Sequence, residues 1–250
     1  MVMPTYNERH RLAELSSALF EAAAAADLAL ELIVVDDNSP DGTGALADEL
    51  ARTRRMRVIH RPRKLGLGTA VVEGFAAATS EVVGVMDGDF SHPPGSVPAM
   101  FAAFREARAD MLVASRYIPG GSTSNWPFIR RMLSRLACAL ARPLSSIRDS
   151  TSGFFLIRRS VASAATIHAG GFKIALELLV RAKPQSVVEF PFRFNDREQG
   201  ESKMSLREAM GYLRQLRDLY IWTVRHPSQA SQHYRQLTPE DVERLSRLAG

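Results

Sequence analysis

The stretch LIVVDDNSPDGT, residues 32 to 43, indicates the fold class most directly. Its first four residues are branched and apolar, as in a strand that is buried on both faces of a sheet. Two adjacent carboxylates, Asp36 and Asp37, end this run, and the Asn-Ser-Pro-Asp-Gly that follows favours a turn. A buried strand that stops at acidic side chains is typical of α/β proteins whose strand ends line a ligand site.

Apolar segments alternate with helical patterns along the first part of the chain. Strands are predicted at 1–4, 31–37, 56–61 and 81–87, and helices at 7–28, 42–52 and 69–79. The apolar character of the strands is continuous rather than alternating. The sequence therefore predicts an α/β fold, with a mostly parallel central sheet covered by helices on both faces.

The composition of the chain excludes several classes of protein. Its 250 residues, 46% of them hydrophobic and 24% charged, suffice for one large globular domain. Lys and Arg exceed Asp and Glu by 32 to 27, which suits phosphorylated ligands or an anionic membrane surface. The aromatic and basic repeats of RNA-binding proteins are missing, so no nucleic-acid partner is expected.

The single cysteine, Cys138, excludes an internal disulfide and a cysteine-ligated zinc site. A reducing, cytoplasmic compartment is the simplest expectation. No apolar run approaches the roughly 20 residues that a transmembrane helix needs, and no signal peptide opens the chain. We therefore expect a protein that is soluble or peripheral to the membrane.

Polar residues follow three of the predicted strands. TYNE comes after the first strand, DDNSPDG after the second and DGDFSHPP after the fourth. Taken singly, each is more often a helix cap or an ordinary turn than a ligand site. In a parallel sheet, however, the carboxyl ends of the strands meet at one edge, where neighbouring carboxylates are costly unless a cation or a ligand offsets them. The three ends together predict a binding crevice.

A pair of carboxylates, Asp87 and Asp89, brackets a glycine directly after the fourth strand. Two carboxylates on one extended turn suit a hard divalent cation such as Mg²⁺ or Mn²⁺. Such a cation would offset the charge of a nucleoside diphosphate leaving group. Asp36 and Asp37 could then accept hydrogen bonds from the base or the ribose.

Several motifs in this order resemble a known enzyme family. MPTYNE, VVDDNSPDGT, KLGLGTA, MDGDFSHPP and SRY are similar to those of inverting family 2 glycosyltransferases with a GT-A fold. NWPFIRRMLSR, DSTSGFFLIRRSV and DREQGESKMS narrow the resemblance to the polyprenyl-phosphate mannosyltransferase branch, which includes the dolichol-phosphate mannose synthases. The resemblance covers residues 1 to about 206.

The resemblance assigns the donor side of the site. It implies that Pro4, Tyr6 and Glu8 belong to the nucleotide site and that Asp37 holds the base or the ribose. Asp87 and Asp89 correspond to the aspartates that bind the metal and the donor diphosphate. The family often has Leu-Gln where this chain has Phe90-Ser91, so Ser91 is expected as a third metal ligand, through its hydroxyl or a water.

The resemblance also assigns the acceptor side. Arg116, Arg131 and Ser134 match the contacts of the lipid phosphate, and guanidinium groups suit bidentate phosphate recognition. Without the family, Arg131 would be interpreted as part of a solvated helix face. Arg197 and Lys203 correspond to a loop that closes over the donor diphosphate, excludes water and adds positive charge.

The implied reaction is transfer of mannose from GDP-mannose to a polyprenyl (dolichyl-type) phosphate with inversion. Its cofactor would be Mg²⁺ or Mn²⁺. A phosphate monoester is already anionic at neutral pH, so no general base is required. The alternatives are a transferase of the same fold that uses UDP-glucose and undecaprenyl phosphate, and a nonenzymatic nucleotide-sugar binding protein. A dinucleotide-binding reductase fits poorly, because Gly66 and Gly68 form only part of that fingerprint and no strand runs directly into them.

Residues 207–250 are expected to lie outside the catalytic domain of residues 1–206. The stretch SLREAMGYLRQLRDLYIWTVRHP predicts a basic amphipathic helix that either lies on the bilayer interface or packs on the catalytic domain. Thr238 and Asp241 suggest a cap before a short final helix. The expected partners are the donor, the lipid phosphate, the cytoplasmic face of a membrane and, as an option, a small membrane partner subunit.

Overall fold

The computed structural model describes residues 1–123, 126–167, 173–195, 206–227 and 232–248. The strands are β1 Val2–Thr5, β2 Leu32–Asp36, β3 Met56–His60, β4 Val82–Val85, β5 Met111–Ser115, β6 Phe155–Arg158, β7 Ser186–Pro191 and β8 His233–Gln236. The α-helices are α1 Arg9–Ala25, α2 Thr43–Ala51, α3 Leu67–Ala77, α4 Val97–Glu106, α5 Phe128–Ala141, α6 Arg159–Ser163, α7 Ile174–Arg181, α8 Leu206–Arg225 and α9 Pro239–Leu248. Each strand and helix that the sequence predicts is confirmed, with bounds shifted by a few residues.

The strands form a single mixed sheet in the order β3-β2-β1-β4-β6-β5-β7-β8. Among the strands of the described ranges, only β6 runs antiparallel to its neighbours, β4 and β5. The other neighbouring strands pair in parallel, which confirms the predicted mostly parallel sheet. Because β1 lies between β2 and β4, the loops that follow these three strands share one edge of the sheet.

The continuous apolar run of β2 is explained by helices on both faces of the sheet. Leu32 and Val34 belong to a core that includes side chains of α1, α2, α4 and α9. Ile33 and Val35 belong to the opposite core, with side chains of α3 and α7. All four side chains are fully buried, and each contributes roughly 1.5–3 kcal/mol to folding relative to an exposed position.

Close packing of α3 on the sheet depends on a glycine. A Cβ atom at Gly74 would lie 2.3 Å from Cγ1 of Val2, well inside van der Waals contact. Any side chain at this position would push α3 away from β1. The position of α3 fixes the preceding loop, which borders the edge of the sheet where the polar strand ends meet.

The last part of the chain joins the same sheet and core. Strand β8 pairs in parallel with β7, and Leu237 and Leu245 are buried. The cap predicted for the final helix is confirmed, because the Thr238 N–H donates to Asp241 Oδ2 (3.0 Å) and the Asp241 N–H donates to Thr238 Oγ1 (3.2 Å). A separate role for residues 207–250 stays a prediction. Within the described ranges, no helix is both long and apolar enough to span a bilayer.

Candidate active site

The loops after β1, β2 and β4 contact one another. The Asp37 N–H donates to the Thr5 carbonyl (3.0 Å), and the Asn7 N–H donates to Ser39 Oγ (3.1 Å). Gly88, between the predicted metal ligands, faces Thr5 and Glu8 so closely that an added Cβ would touch both. The structure thus brings together the predicted donor-site residues Pro4, Tyr6, Glu8, Asp37, Asp87 and Asp89.

Each of these loops contains a residue in the left-handed region of backbone conformation. The φ angles are 62° at Asn7, 57° at Asn38 and 62° at Phe90. Asparagine tolerates this region, whereas an aromatic residue adopts it only at a cost of about 1–3 kcal/mol. Phe90 directly follows Asp89, so the strain is located where the backbone of the Asp87–Asp89 turn is fixed.

Asp36 organises the turn after β2 and its carboxylate is occupied by protein groups. Its Oδ1 accepts hydrogen bonds from Thr5 Oγ1 (3.1 Å) and Ser39 Oγ (2.5 Å). Its Oδ2 accepts from the Ser39 N–H (3.0 Å). Asp36 therefore holds the strand end and the turn together. This structural role is the alternative to the nucleotide contact considered for Asp36 from the sequence.

Asp37 is held by Arg61, a residue that the sequence did not indicate. Arg61 is only 3% exposed, and its Nη1 donates to Asp37 Oδ1 and to the Gly66 carbonyl. The Gly66 N–H donates to Asp37 Oδ2 (3.1 Å), and Arg61 also reaches Thr69 and Glu73. These contacts fix the Asp37 carboxylate and tie the loop before α3 to the end of β2.

Tyr6 and Lys64 form an exposed pair beside this loop. The Lys64 ammonium lies 3.7 Å from the centroid of the Tyr6 ring, a cation–π geometry. Glu8 occupies the N-cap position of α1, and its N–H donates to Thr43 Oγ1 (3.0 Å). Pro4 pairs with Val35 inside the sheet. Tyr6 thus presents an aromatic face, and Lys64 a positive charge, at the donor side of the crevice.

The Asp87–Asp89 turn carries oxygen ligands of the kind that a hard cation such as Mg²⁺ or Mn²⁺ prefers. Asp87 is partly exposed and Asp89 is buried. The Ser91 N–H donates to Asp89 Oδ1 (3.0 Å), while the buried Ser91 hydroxyl finds no hydrogen-bond partner within the part of the chain that the structure describes. A buried hydroxyl without a partner fits the ligand role predicted for Ser91.

The described residues contain no group of three or more His, Cys, Asp or Glu that could hold a metal ion by themselves. Asp87 and Asp89 with the Ser91 hydroxyl would supply only part of an octahedral shell. Mg²⁺ and Mn²⁺ are commonly held in this way, by a few protein oxygens together with water and phosphate oxygens. The residues present therefore fit such a cation.

His92 positions Asp87. The Asp87 N–H donates to His92 Nδ1 (2.9 Å), which puts the imidazole proton of the neutral ring on Nε2, 3.7 Å from Asp87 Oδ2. The imidazole stacks on Phe154, with 4.8 Å between ring centroids. His92 lies in the DGDFSHPP motif, whereas Phe154, on which its ring stacks, is distant in sequence.

A cavity of about 530 Å³ adjoins Asp87 and has the size of a small-molecule site. Polar and charged side chains line one part of it and apolar side chains of α5 line another. The polar group comprises Asp87, His92, Arg116, Arg130, Ser134, Thr151, Ser152, Lys173 and Glu208. The apolar group includes Ile129, Leu133 and Ala137.

Arg116 lines this cavity, as the acceptor-side prediction requires, and pairs with a residue that the sequence analysis did not single out. Its Nε and Nη2 each donate to the fully buried Asp149 carboxylate at 2.7 Å, and its Nη2 also donates to Thr151 Oγ1 (2.8 Å). Burial acts to raise the pKa of Asp149, but the charge and hydrogen bonds of Arg116 lower that pKa overall. The guanidinium is thus fixed in one orientation.

Helix α5 presents Arg130 and Ser134 to the cavity. Ser134 Oγ accepts a hydrogen bond from the Tyr117 hydroxyl (2.7 Å), and the Arg130 guanidinium lies 3.9 Å from the Trp126 ring centroid. Arg131 is one residue further along the helix and lies outside the cavity lining. A shift of one residue turns a side chain by about 100° around a helix axis. The predicted role of Arg131 stays a prediction, and so do those of Arg197 and Lys203, which lie outside the described residues.

Comparison with known proteins agrees with this geometry. The family model described as "Glycosyl transferase family 2" matches residues 1–166, which include the crevice and the Asp87–Asp89 turn. The chain belongs to glycosyl transferase family 2. The family assignment and the sheet order confirm the predicted GT-A fold and glycosyltransferase class.

Two curated relatives resemble this family 2 glycosyltransferase over most of its length. The dolichol-phosphate mannosyltransferase of Pyrococcus furiosus is 39% identical over 226 residues, which are 89% of this chain and 63% of that protein. The polyprenol monophosphomannose synthase of Mycolicibacterium smegmatis is 40% identical over 225 residues, 84% of this chain and 83% of that protein. The chain therefore spans less than two thirds of the Pyrococcus protein.

A solved structure shares the fold. The glucosyl-3-phosphoglycerate synthase of Mycobacterium tuberculosis, in complex with Mn²⁺, UDP and glucosyl-3-phosphoglycerate, has a TM-score of 0.62 and 18% identity. The match covers 91% of this chain and 80% of that chain. At this identity the likeness concerns the fold alone.

Proposed function

We propose that this family 2 glycosyltransferase transfers mannose from GDP-mannose to a polyprenyl phosphate and produces a polyprenyl-phosphate β-mannose. One observation carries the proposal. A single cavity adjoins the Asp87–Asp89 turn, contains Arg116 and Ser134, and is bordered by apolar side chains of α5. The reaction would require three neighbouring environments. The Asp87–Asp89 turn would face the donor diphosphate, Arg116 and Ser134 the acceptor phosphate, and the apolar side chains of α5 the start of the isoprenoid chain. The names of the curated relatives support mannose as the transferred sugar and a dolichyl or polyprenyl phosphate as the acceptor.

The donor would bind along the polar strand ends. Tyr6, Glu8 and Asp37 would hold the nucleoside, with Asp37 kept in place by Arg61. Mg²⁺ or Mn²⁺ at Asp87, Asp89 and Ser91, when bound, would offset the charge of the diphosphate as it leaves. Lys203 and Arg197 would close over the same diphosphate and exclude water.

The acceptor phosphate would be oriented by Arg116, Ser134 and an arginine of α5. One of its oxygens attacks the anomeric carbon from the face opposite the leaving group. A bond forms between that carbon and the phosphate oxygen while the bond to the diphosphate oxygen breaks, so the configuration inverts. No proton has to be removed, because the phosphate is already anionic, and catalysis consists of positioning and charge stabilisation.

Helices α5 and α8 provide a surface on which the lipid could approach. The Tyr212 hydroxyl donates to the Ala137 carbonyl and the Tyr220 hydroxyl to the Leu140 carbonyl, both at 2.7 Å, so the helices pack side by side. Their outer side chains form what we call the apolar face, which consists of Phe128, Ile129, Met132, Leu136, Leu140, Met210, Leu213, Ile221 and Val224. Phe128 is 70% exposed and Val224 is 81% exposed.

An apolar face of this extent, on helices that also expose Arg135, Arg214 and Arg217, suits the surface of an anionic bilayer. We propose that the transferase binds peripherally to the cytoplasmic face of the membrane through it. The face borders the cavity, since Ile129 belongs to both. A bilayer-bound enzyme could therefore take the phosphate of a polyprenyl chain without extracting the chain from the lipid. A small partner subunit would be the other occupant of this face.

The function is tested by transfer from a panel of radiolabelled GDP- and UDP-sugars to short polyprenyl phosphates in detergent, with Mg²⁺, with Mn²⁺ and with a chelator. We expect metal-dependent transfer from GDP-mannose and no transfer to the corresponding alcohol. A preference for UDP-glucose as the donor would instead favour the alternative transferase of the same fold, which uses UDP-glucose. Binding of nucleotide sugars without transfer to any acceptor would contradict the proposed catalysis.

A further inference from the structure

Glu189 is a buried acidic residue to which the proposed function gives no role. It lies on β7, between β5 and β8 in the sheet, with no exposed surface and outside the cavity lining. A carboxylate in such a place is costly to bury unless hydrogen-bond donors reach its oxygens. Burial raises the pKa of Glu189, and the hydrogen bonds that the carboxylate accepts oppose this rise. The donors therefore show what the buried side chain holds in place.

One oxygen of Glu189 holds the backbone that carries Asp149. Glu189 Oε1 accepts hydrogen bonds from the Arg148 N–H (2.9 Å) and the Asp149 N–H (3.0 Å). Asp149 in turn accepts hydrogen bonds from the N–H (2.9 Å), Nε and Nη2 of Arg116. Glu189 thus fixes the backbone from which the partner of the cavity arginine extends.

The other oxygen of Glu189 is held by the C-terminal strand β8. Glu189 Oε2 accepts a hydrogen bond from the Tyr234 hydroxyl, and that hydroxyl accepts one from Gln236 Nε2 (2.5 Å). Tyr234 and Gln236 are two positions apart on β8, so their side chains lie on the same face of the sheet. The pairing of β8 with β7 therefore sets the orientation of the Glu189 carboxylate.

We propose that Glu189 and Tyr234 are positioning residues for Arg116, and that β8 acts on the acceptor site through them. The inference rests on the proposed function, in which Arg116 orients the acceptor phosphate. One continuous series of hydrogen bonds supports it. The series runs from the Tyr234 hydroxyl through Glu189 to the backbone of Asp149, and from the Asp149 carboxylate to the guanidinium. Bidentate recognition of phosphate depends on the orientation of that planar group.

The test compares the wild-type chain with Tyr234→Phe, Glu189→Met and Glu189→Gln. Tyr234→Phe removes only the hydroxyl, Glu189→Met removes both carboxylate oxygens, and Glu189→Gln keeps an oxygen that can accept from the two N–H groups. The control is Arg244→Met, which removes two hydrogen bonds from α9 to Glu106 of α4 (2.7 and 2.8 Å). This control loosens the C-terminal segment without changing the series.

Steady-state transfer gives kcat and the KM of each substrate, with citronellyl phosphate as the acceptor and GDP-mannose as the donor. Calorimetry measures binding of citronellyl phosphate and of GDP with Mn²⁺. A thermal melt identifies the variants that are folded at the assay temperature. If Glu189→Met is not folded, Tyr234→Phe and Glu189→Gln carry the test.

We expect Tyr234→Phe to raise the KM of the acceptor roughly threefold to tenfold, as for one lost hydrogen bond, and Glu189→Met to raise it roughly tenfold or more. The KM of GDP-mannose should stay close to the wild-type value in both. Glu189→Gln and Arg244→Met should resemble the wild type.

A purely structural role predicts a different pattern, because a loosened fold would weaken the donor and the acceptor alike. That pattern, or an unchanged acceptor KM in the folded variants, would overturn the inference. An effect of Glu189→Met without one of Tyr234→Phe would overturn the part assigned to β8.

Action through Arg116 is tested in an Arg116→Lys background. Lysine keeps a positive charge beside Asp149 but lacks the planar fork of the guanidinium. If Tyr234 acts through that group, Tyr234→Phe should weaken binding of citronellyl phosphate in the wild type and cause no further loss in Arg116→Lys. Additive losses would overturn the positioning of Arg116. A wild type that binds GDP but not citronellyl phosphate would instead contradict the proposed function itself.

Discussion

Arg116 donates from Nε and Nη2 to the two carboxylate oxygens of Asp149, both at 2.7 Å, and Asp149 has no exposed surface. The pair is preorganised at the wall of the cavity. A buried pair of this kind adds little net stability compared with apolar residues, but removing one partner leaves an uncompensated buried charge. The pair is therefore expected to fix the orientation of Arg116, and loss of either partner is expected to destabilise the fold.

Asp149→Asn is expected to destabilise the protein by about 3–5 kcal/mol and to raise the KM of the acceptor. The asparagine keeps the shape of the side chain but leaves the charge of Arg116 unbalanced. Urea unfolding and steady-state kinetics measure the two effects. An acceptor KM equal to that of the wild type in a folded Asp149→Asn variant would contradict a role for the pair in acceptor binding.

The same pair predicts a dependence of stability on pH. The pKa of Asp149 in the folded protein is lowered from 3.8, so the folded state binds this proton less readily than the unfolded state. The stabilisation is present above about pH 4 and is lost as the pH falls through the folded pKa. Urea unfolding between pH 3 and pH 7 should show a smaller acid-induced loss in a folded Asp149→Asn variant than in the wild type. Equal acid-induced losses of stability in both proteins would contradict the predicted contribution of Asp149.

Asp89→Asn is expected to lower kcat on the order of 10³-fold or more, because a carboxylate that holds the metal contributes several kcal/mol. The buried side chain keeps its shape, so the melting temperature should stay close to that of the wild type. Asp89→Ala should also nearly abolish transfer without unfolding the chain. Unfolding of both variants would indicate that Asp89 supports the fold rather than a metal.

Arg131→Ala is expected to raise the KM of the polyprenyl phosphate more than that of GDP-mannose. Arg130→Ala is the matched comparison, because Arg130 and not Arg131 lines the cavity. Steady-state kinetics with both substrates varied separates the two. An effect of Arg130→Ala on the acceptor with none for Arg131→Ala would assign the phosphate contact to Arg130.

The mostly parallel sheet and the polar strand ends that line its crevice could be predicted because they depend on patterns local in the chain. The run LIVVDD reports burial on both faces, and several polar strand ends that meet at one edge of the sheet together mark the crevice. Asp36, Asp37, Asp87 and Asp89 could be located for this reason, whereas the roles of Pro4, Tyr6 and Glu8 are implied by the resemblance of MPTYNE to the family.

The partners of these residues could not be predicted in the same way. Arg61 reaches Asp37 across 24 positions, and Arg116 reaches Asp149 across 33. Such pairs form only when the sheet brings distant loops together, and no spacing in the chain reports them. Whether Arg130 or Arg131 faces the cavity depends on the rotation of α5, which its packing against α8 determines.

The apolar face yields the last prediction. Met132→Glu combined with Leu136→Glu places two charges at positions that are about half exposed and lie outside the cavity lining. We expect the double variant to bind vesicles of phosphatidylcholine and phosphatidylglycerol roughly tenfold or more weakly in flotation, because a carboxylate is repelled by the anionic surface and excluded from its apolar layer. Val72→Glu on α3, an equally simple change at an exposed apolar residue elsewhere, is the control. Transfer to a short, detergent-soluble acceptor should be unchanged in both, since neither alters the cavity. If the double variant and Val72→Glu bind vesicles equally well, the apolar face would be assigned to a protein partner instead of the bilayer.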